Sequence, residues 1–148
     1  MSLTDTIAKD LMFAMKNKQT EKLEALRAVK TAFILARTNA GNTQLTDDEE
    51  LKIIQKLVKQ RKDSAAEFSA QNRTDLAAKE LAEADVISEY LPKQLSPDEI
   101  KEVVARIISE TGAASIKDMG KVMGVASKEL AGKADGKIIS DIVKELLG

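Results

Sequence analysis

Two groups of basic side chains carry the clearest chemistry in this sequence, and that chemistry is anion binding. The run KIIQKLVKQRK, Lys52 to Lys62, holds five positive charges and no acid. Lys52, Lys56 and Lys59 recur at i, i+4 and i+7, so they share one face of a helix. Arg61 and Lys62 add charge on neighbouring faces. The plain reading is the solvated side of an amphipathic helix. The functional reading is a ridge that meets phosphates. In the second group Lys117, Lys121 and Lys128 share a helix face, and Lys133 and Lys137 flank the run GKADG. Between residues 115 and 137 five lysines stand against three acids, Asp118, Glu129 and Asp135. No Phe, Tyr or Trp lies in that stretch. RNA held there would be gripped by its backbone and shape rather than by stacked bases.

The same region contains DMGKVMG, which puts Gly120 and Gly124 one turn apart inside a helical pattern. Glycine in a helix interior costs roughly 1 kcal/mol against alanine. Two explanations fit: the glycines let another helix pack closely, or they leave a strip open for a partner. Packing is the leading expectation. In GKADG, Gly132 suits a left-handed helix end and Asp135 suits the cap of the last helix.

Most catalytic arrangements are excluded by composition. The chain has 148 residues, no Cys and no His. Disulfides, thiol nucleophiles and a Ser-His-Asp arrangement therefore cannot be built. A metal site would have to be made of carboxylates alone, and no acidic run matches a calcium loop. The run Asp47 to Glu50 reads as a solvated first helical turn. A Ser-Lys nucleophile would draw on Ser64, Ser69 or Ser127, none of which has a glycine-rich setting. No cofactor and no metal are expected. No apolar run approaches the ~20 residues of a membrane span. The N-terminus lacks a signal-peptide pattern, so the sequence points to a soluble cytoplasmic protein with no membrane partner.

Helices must position these residues. Hydrophobic residues make up 43% of the chain and aromatics 3%, so the core is built from aliphatic side chains. Ser2 and Asp5 open a first helix with Ile7, Leu11 and Met15 inward. Thr20 caps a second, with Leu23, Leu26, Val29 and Phe33. Thr46 and Glu49 form a capping box before a long third helix with Leu51, Ile54, Leu57, Val58, Ala65 and Phe68 on its apolar stripe. A fourth carries Leu76, Ala77, Leu81, Ala84 and Ile87. Pro92 breaks the chain, and Ser96, Pro97 and Glu99 restart it. Ile100, Val103, Val104 and Ile107 follow to Gly112. Ser115 and Asp118 begin the next helix, and the last presents Ile138, Ile139, Ile142, Val143 and Leu146. The fold class is all-α, in two helical subdomains. Residues 1–92 form an N-terminal bundle of about four helices, and residues 96–148 a C-terminal bundle of about three short ones.

The stretch DMGKVMGVASKELAGKADGKIISDIVKELL resembles the tail motif of the GatB/YqeY family, with Gly120, Gly124, Gly132, Ala134 and Asp135 on the pattern. KNKQTEKLEALRAVKTAF, the segment from LTDDEE to LAAKE, and YLPKQLS resemble the free-standing YqeY-like proteins of bacteria. The resemblance covers essentially the whole chain and implies two all-helical subdomains. In the B subunit of the aspartyl/glutamyl-tRNA amidotransferase, the similar tail is a helical appendage that approaches tRNA. By association the resemblance implies carbon–nitrogen ligase activity with glutamine as amido donor. The kinase-like and amidase parts that carry that chemistry are not in this sequence, so no activity is expected of the chain alone. Three readings follow: a non-catalytic module binding tRNA or a tRNA-handling enzyme, a component of glutamine-dependent amidation, and a protein–protein adaptor using Met119 and Met123.

Overall fold

The computed structural model describes residues 2–148. Among them are seven α-helices, one short 3₁₀ turn and no strand, the all-α architecture expected. The chain divides between Leu91 and Pro92 into two compact units.

The first unit holds α1 (Leu3–Lys16), α2 (Thr20–Asn39), α3 (Asp47–Ala70) and α4 (Thr74–Ser88). The helix starts follow from local hydrogen bonding. At α3 the Thr46 N–H donates to Glu49 Oε2 at 2.9 Å and the Glu49 N–H donates to Thr46 Oγ1 at 3.2 Å. Four acids in the first turn suit the positive end of the helix. The turns between helices use left-handed residues: Lys18, Gly41 with Asn42, and Asn72. At the first of these the Gln19 N–H donates back to Ala14 O at 2.9 Å. That bond brings Gln19 to the cap position of α2, so Thr20 is the first helical residue and not the cap.

The core of this unit joins Ile7, Leu11 and Ala14 of α1 to Ala25, Leu26, Val29 and Phe33 of α2. Ile54 and Val58 of α3 and Ala84 and Ile87 of α4 complete it. Ala14, not Met15, continues the inward stripe. It sits seven residues after Ile7, two turns on, whereas Met15 is swung a further residue round and is exposed. Leu81 is exposed as well.

The second unit holds α5 (Pro97–Thr111), the 3₁₀ turn Ile116–Asp118, α6 (Met119–Glu129) and α7 (Gly136–Leu147). A capping box of Ser96 and Glu99, with Pro97 in the first turn, starts α5, and Gly112 at φ 70° ends it. Ile100, Val104 and Ile107 pack on Val122, Ala126 and Leu130 and on Ile139, Ile142 and Val143. Ile138 and Leu146 are exposed; Leu147 closes the last turn instead. The α6–α7 loop is pinned through its carbonyls, by one side-chain and one main-chain donor. Gln94 Nε2 donates to Gly132 O at 2.6 Å, and the Leu95 N–H donates to Lys133 O at 3.0 Å. Gly132 holds φ 75°, a left-handed conformation that a side chain would strain.

Candidate nucleic-acid interface

The glycine strip faces solvent. Gly120 and Gly124 are both exposed, and a Cβ added to either would meet no atom within 4 Å beyond its chain neighbours and its own helix backbone. The packing expectation is therefore corrected. Val122 and Ala126 are the buried positions of α6, and Gly120 and Gly124 each precede one of them by two residues, which turns them outward. With Lys121, Val125 and Lys128 they line a shallow groove along the helix. Nothing inside the protein requires the missing side chains. Alanine at each position is accordingly expected to stabilise the second unit by about 0.5–1 kcal/mol per site, read by chemical denaturation.

Between residues 115 and 137 the surface favours anions more than a count of charges suggests. Of the three nearby acids, Glu129 is bound to the Arg106 guanidinium. Asp118 turns its carboxylate back to accept the Ala114 N–H at 2.9 Å and the Ser115 N–H at 3.4 Å. These two bonds hold the Asp118 carboxyl below its ordinary range, with Lys121 adding a smaller pull. Asp135 occupies the cap position of α7 but its side chain makes no capping bond, which corrects its expected role; its backbone alone supplies the cap geometry. Neither α6 nor α7 has an acid in its first turn, and Lys121 and Lys137 stand there instead. Each lysine faces the positive end of its helix dipole, and at each end the aspartate at the cap position, Asp118 or Asp135, offsets it. Lys121 Nζ also donates to Thr111 O at 3.0 Å, at the carbonyl end of α5. Lys117, Lys128, Lys133 and Lys137 are exposed, Lys117 on the 3₁₀ turn rather than on α6 itself.

The low Asp118 pKa has a testable sign. A carboxyl depressed by folding contributes stability that is present above its unfolded value and lost as pH falls through the folded one. Asp118→Ala should therefore melt below wild type well above pH 3.8, the ordinary aspartate value. The gap should close as acid protonates the wild-type side chain, and melting curves at a series of pH values measure it.

In the first unit Lys52, Lys56 and Lys59 are exposed on α3, and none forms an ion pair among the described residues. Arg61 does not join them. It follows Lys52 by nine positions, two and a half turns of 3.6 residues, and so points to the opposite side of α3. There it is largely buried, with Nη1 donating to Leu57 O at 3.3 Å and Nε lying 3.6 Å from Glu83 Oε2 on α4. Arg61 is a packing and ion-pair residue, and it cannot reach a ligand on the lysine face.

No group of three or more His, Cys, Asp or Glu among the described residues is placed to hold a metal ion. No described helix is long and apolar enough to cross a membrane.

Sequence comparison adds identity to this geometry. Residues 4–147 match the family described as Yqey-like protein. The chain belongs to that family. Among its relatives is the fungal protein named "Altered inheritance of mitochondria protein 41, mitochondrial". The Pyrenophora tritici-repentis protein is 32% identical over 144 residues, covering 94% of this Yqey-like chain and 77% of the relative. The Saccharomyces cerevisiae protein is 33% identical over 131 residues, covering 86% and 68%. The Candida glabrata protein is 37% identical over 87 residues, covering 58% and 48%. The Yqey-like chain thus spans between about half and about three quarters of the relatives' lengths. The expectation of a cytoplasmic protein is overturned by these relatives, each of which is named as mitochondrial.

Proposed function

We propose that this Yqey-like protein is a non-catalytic RNA-binding module that acts on tRNA or beside an enzyme that handles tRNA. The observation that carries the reading is the bare strip of α6. Two helical glycines, each disfavoured by roughly 1 kcal/mol, have no internal packing to justify them and lie between lysines in an open groove. A sugar–phosphate backbone can approach such a strip closely while Lys121 and Lys128 meet its charge, with Lys117, Lys133 and Lys137 around it. The resemblance to the amidotransferase tail read from the sequence of residues 118–147 points to the same surface. In this reading residues 96–148 face the RNA, and residues 1–92 carry a second contact through Lys52, Lys56 and Lys59. The compartment that the relatives' names support is the mitochondrion.

A protein adaptor is the second reading; Met119 and Met123, expected to form its surface, are partly buried against the core of the second unit, and Val125, 41% exposed within the same groove, is the apolar side chain that favours it. Glutamine-dependent amidation gains no support from a chain without His or Cys. Titration of labelled tRNA with the full chain at low salt separates the first two. Saturable, salt-sensitive binding supports the RNA reading. No binding, together with a captured protein partner lost on Val125→Ser, supports the adaptor.

A further inference from the structure

A second surface lies in the first unit and does not depend on the RNA surface. The five most exposed large apolar side chains among the described residues, Met12, Phe13, Met15, Ile34 and Leu35, all belong to α1 and α2. Three of them share one face. Ala8, Met12 and Met15 recur at i, i+4 and i+7 along α1. Lys30, Ile34 and Arg37 repeat that spacing along α2, and Arg27 extends it one turn back. Ala8, Lys30, Ile34 and Arg37 line one cleft of about 480 Å³, so the two stripes border a common groove. Phe13 and Leu35 stand one residue further round, about 100° away, and fall outside it. The buried side chains of Ile7 and Phe33 give the cleft an apolar floor. Glu50 lies behind its wall at 1% exposure, where Oε2 accepts the Thr4 N–H at 2.8 Å and the Thr4 hydroxyl at 2.6 Å. It is closed to solvent and takes no part in this face.

The charge on the face is one-sided. Arg27, Lys30 and Arg37 are exposed, and none forms an ion pair among the described residues. The acids of the same two helices are engaged or turned away. Glu24 pairs with Lys79 on α4. Asp10 accepts the Tyr90 hydroxyl at 2.5 Å, and Asp5, at the end of the cleft, accepts the Ser2 hydroxyl at 3.0 Å. Glu21 precedes Arg27 by six residues, which turns it to another side of α2. A face that is methionine and isoleucine along one line and unpaired cation beside it complements a partner that is apolar along one line and acidic beside it. A phosphate backbone would leave Met12, Met15 and Ile34 uncovered. A bilayer meets apolar crests, whereas here the apolar floor lies at the bottom of a recess. A helix fits the dimensions, since the stripe from Arg27 to Arg37 runs about 15 Å, close to three helical turns. The unbranched methionine side chains adapt to the residues laid against them.

We infer that the α1–α2 face docks an acidic amphipathic helix of a protein partner, laid into the groove. An apolar anchor enters the cleft against Phe33 and Ile34, its apolar neighbours cover Met12 and Met15, and acids on the flank pair with Arg27, Lys30 and Arg37. The test uses the full chain and two end-blocked, four-turn peptides with leucine along one face. Glutamate and alanine fill the remaining positions of one peptide, and lysine and alanine those of the other. Fluorescence anisotropy should show the acidic peptide binding saturably and the basic one about tenfold weaker or more. Arg27→Glu with Lys30→Glu, both at exposed positions, should keep the wild-type melting temperature and reverse that preference. Met12→Ser with Ile34→Ser, also exposed, should weaken the acidic peptide by about tenfold. The inference is overturned by absence of saturable binding at about 1 mM, by a basic peptide that binds as tightly as the acidic one, or by acidic-peptide binding that both variants leave unchanged. It is equally overturned if the chain alone sediments as a dimer that the Met12 and Ile34 changes abolish, which makes the occupant a second copy. Pelleting with phosphatidylglycerol vesicles that the same changes abolish overturns it in favour of a membrane.

Discussion

Replacing Lys117, Lys121 and Lys128 together with alanine is expected to flatten the salt dependence of tRNA binding and to remove most of the affinity near physiological salt. All three side chains are exposed, so the variant should fold, with a small loss of stability from the Lys121–Thr111 bond. Each phosphate contact releases condensed counterions, and losing one lowers the slope of log K against log salt by about one unit. Three lost contacts should therefore lower the slope by about two to three, by fluorescence anisotropy between about 50 and 200 mM salt. The loss should be similar for different tRNA sequences, because the surface has no aromatic side chain with which to read bases. Lys52, Lys56 and Lys59 replaced together should give a separate, additive decrease if α3 supplies the second contact. Arg61→Ala belongs to neither set. It should destabilise the α3–α4 contact by removing the Glu83 pair, and leave the salt slope unchanged.

The largest stability effect is expected at Leu26, which is fully buried where α2 crosses the core of the first unit. Truncation to alanine removes its transfer energy and leaves a cavity, a cost of about 2–5 kcal/mol. That is a large share of the ~5–15 kcal/mol that holds a typical domain folded. Leu81→Ala makes the contrast. The two side chains are chemically identical, but Leu81 is 47% exposed, and its loss should stay within about 0.5 kcal/mol. Denaturant unfolding of both variants measures the difference.

The helices were legible because this sequence states its starts and stops in side chains that bond locally. Thr46 with Glu49, Ser96 with Glu99, Pro97 and Gly112 do in the structure what their types suggest. Such signals fail where the backbone does the capping. At Gln19 the helix start is set by a turn residue in a left-handed conformation, and at Asp135 the cap is geometric only.

The direction of a side chain was harder to read than its helix. Charge type alone put Arg61 with the lysines, although its spacing from Lys52 already places it on the other side of α3. Glu50 was hidden in the same way. It closes the acidic run Asp47 to Glu50, which reads as solvated, and yet Ile54 and Val58 follow it at i+4 and i+8. Those two core residues mark Glu50 as inward-facing, and the structure buries it against Thr4. The cleft beside it joins α1, α2 and the loop before α3, segments far apart in sequence, and no local pattern announces such a meeting.

The glycines of DMGKVMG show the opposite problem. Their spacing is plain in the sequence, but spacing alone suits an internal strip as well as an external one. Only the position of the Val122 and Ala126 stripe decides that they face outward. The most direct test of the RNA account uses that fact. Gly124→Leu is compared with wild type in two parallel measurements on the full chain, thermal melting and tRNA titration at low salt. The account predicts unchanged or slightly raised melting, since nothing beyond its chain neighbours and its own helix backbone lies within 4 Å of the new Cβ, together with clearly weakened tRNA binding. A large loss of melting temperature, or tRNA binding equal to wild type, would contradict it.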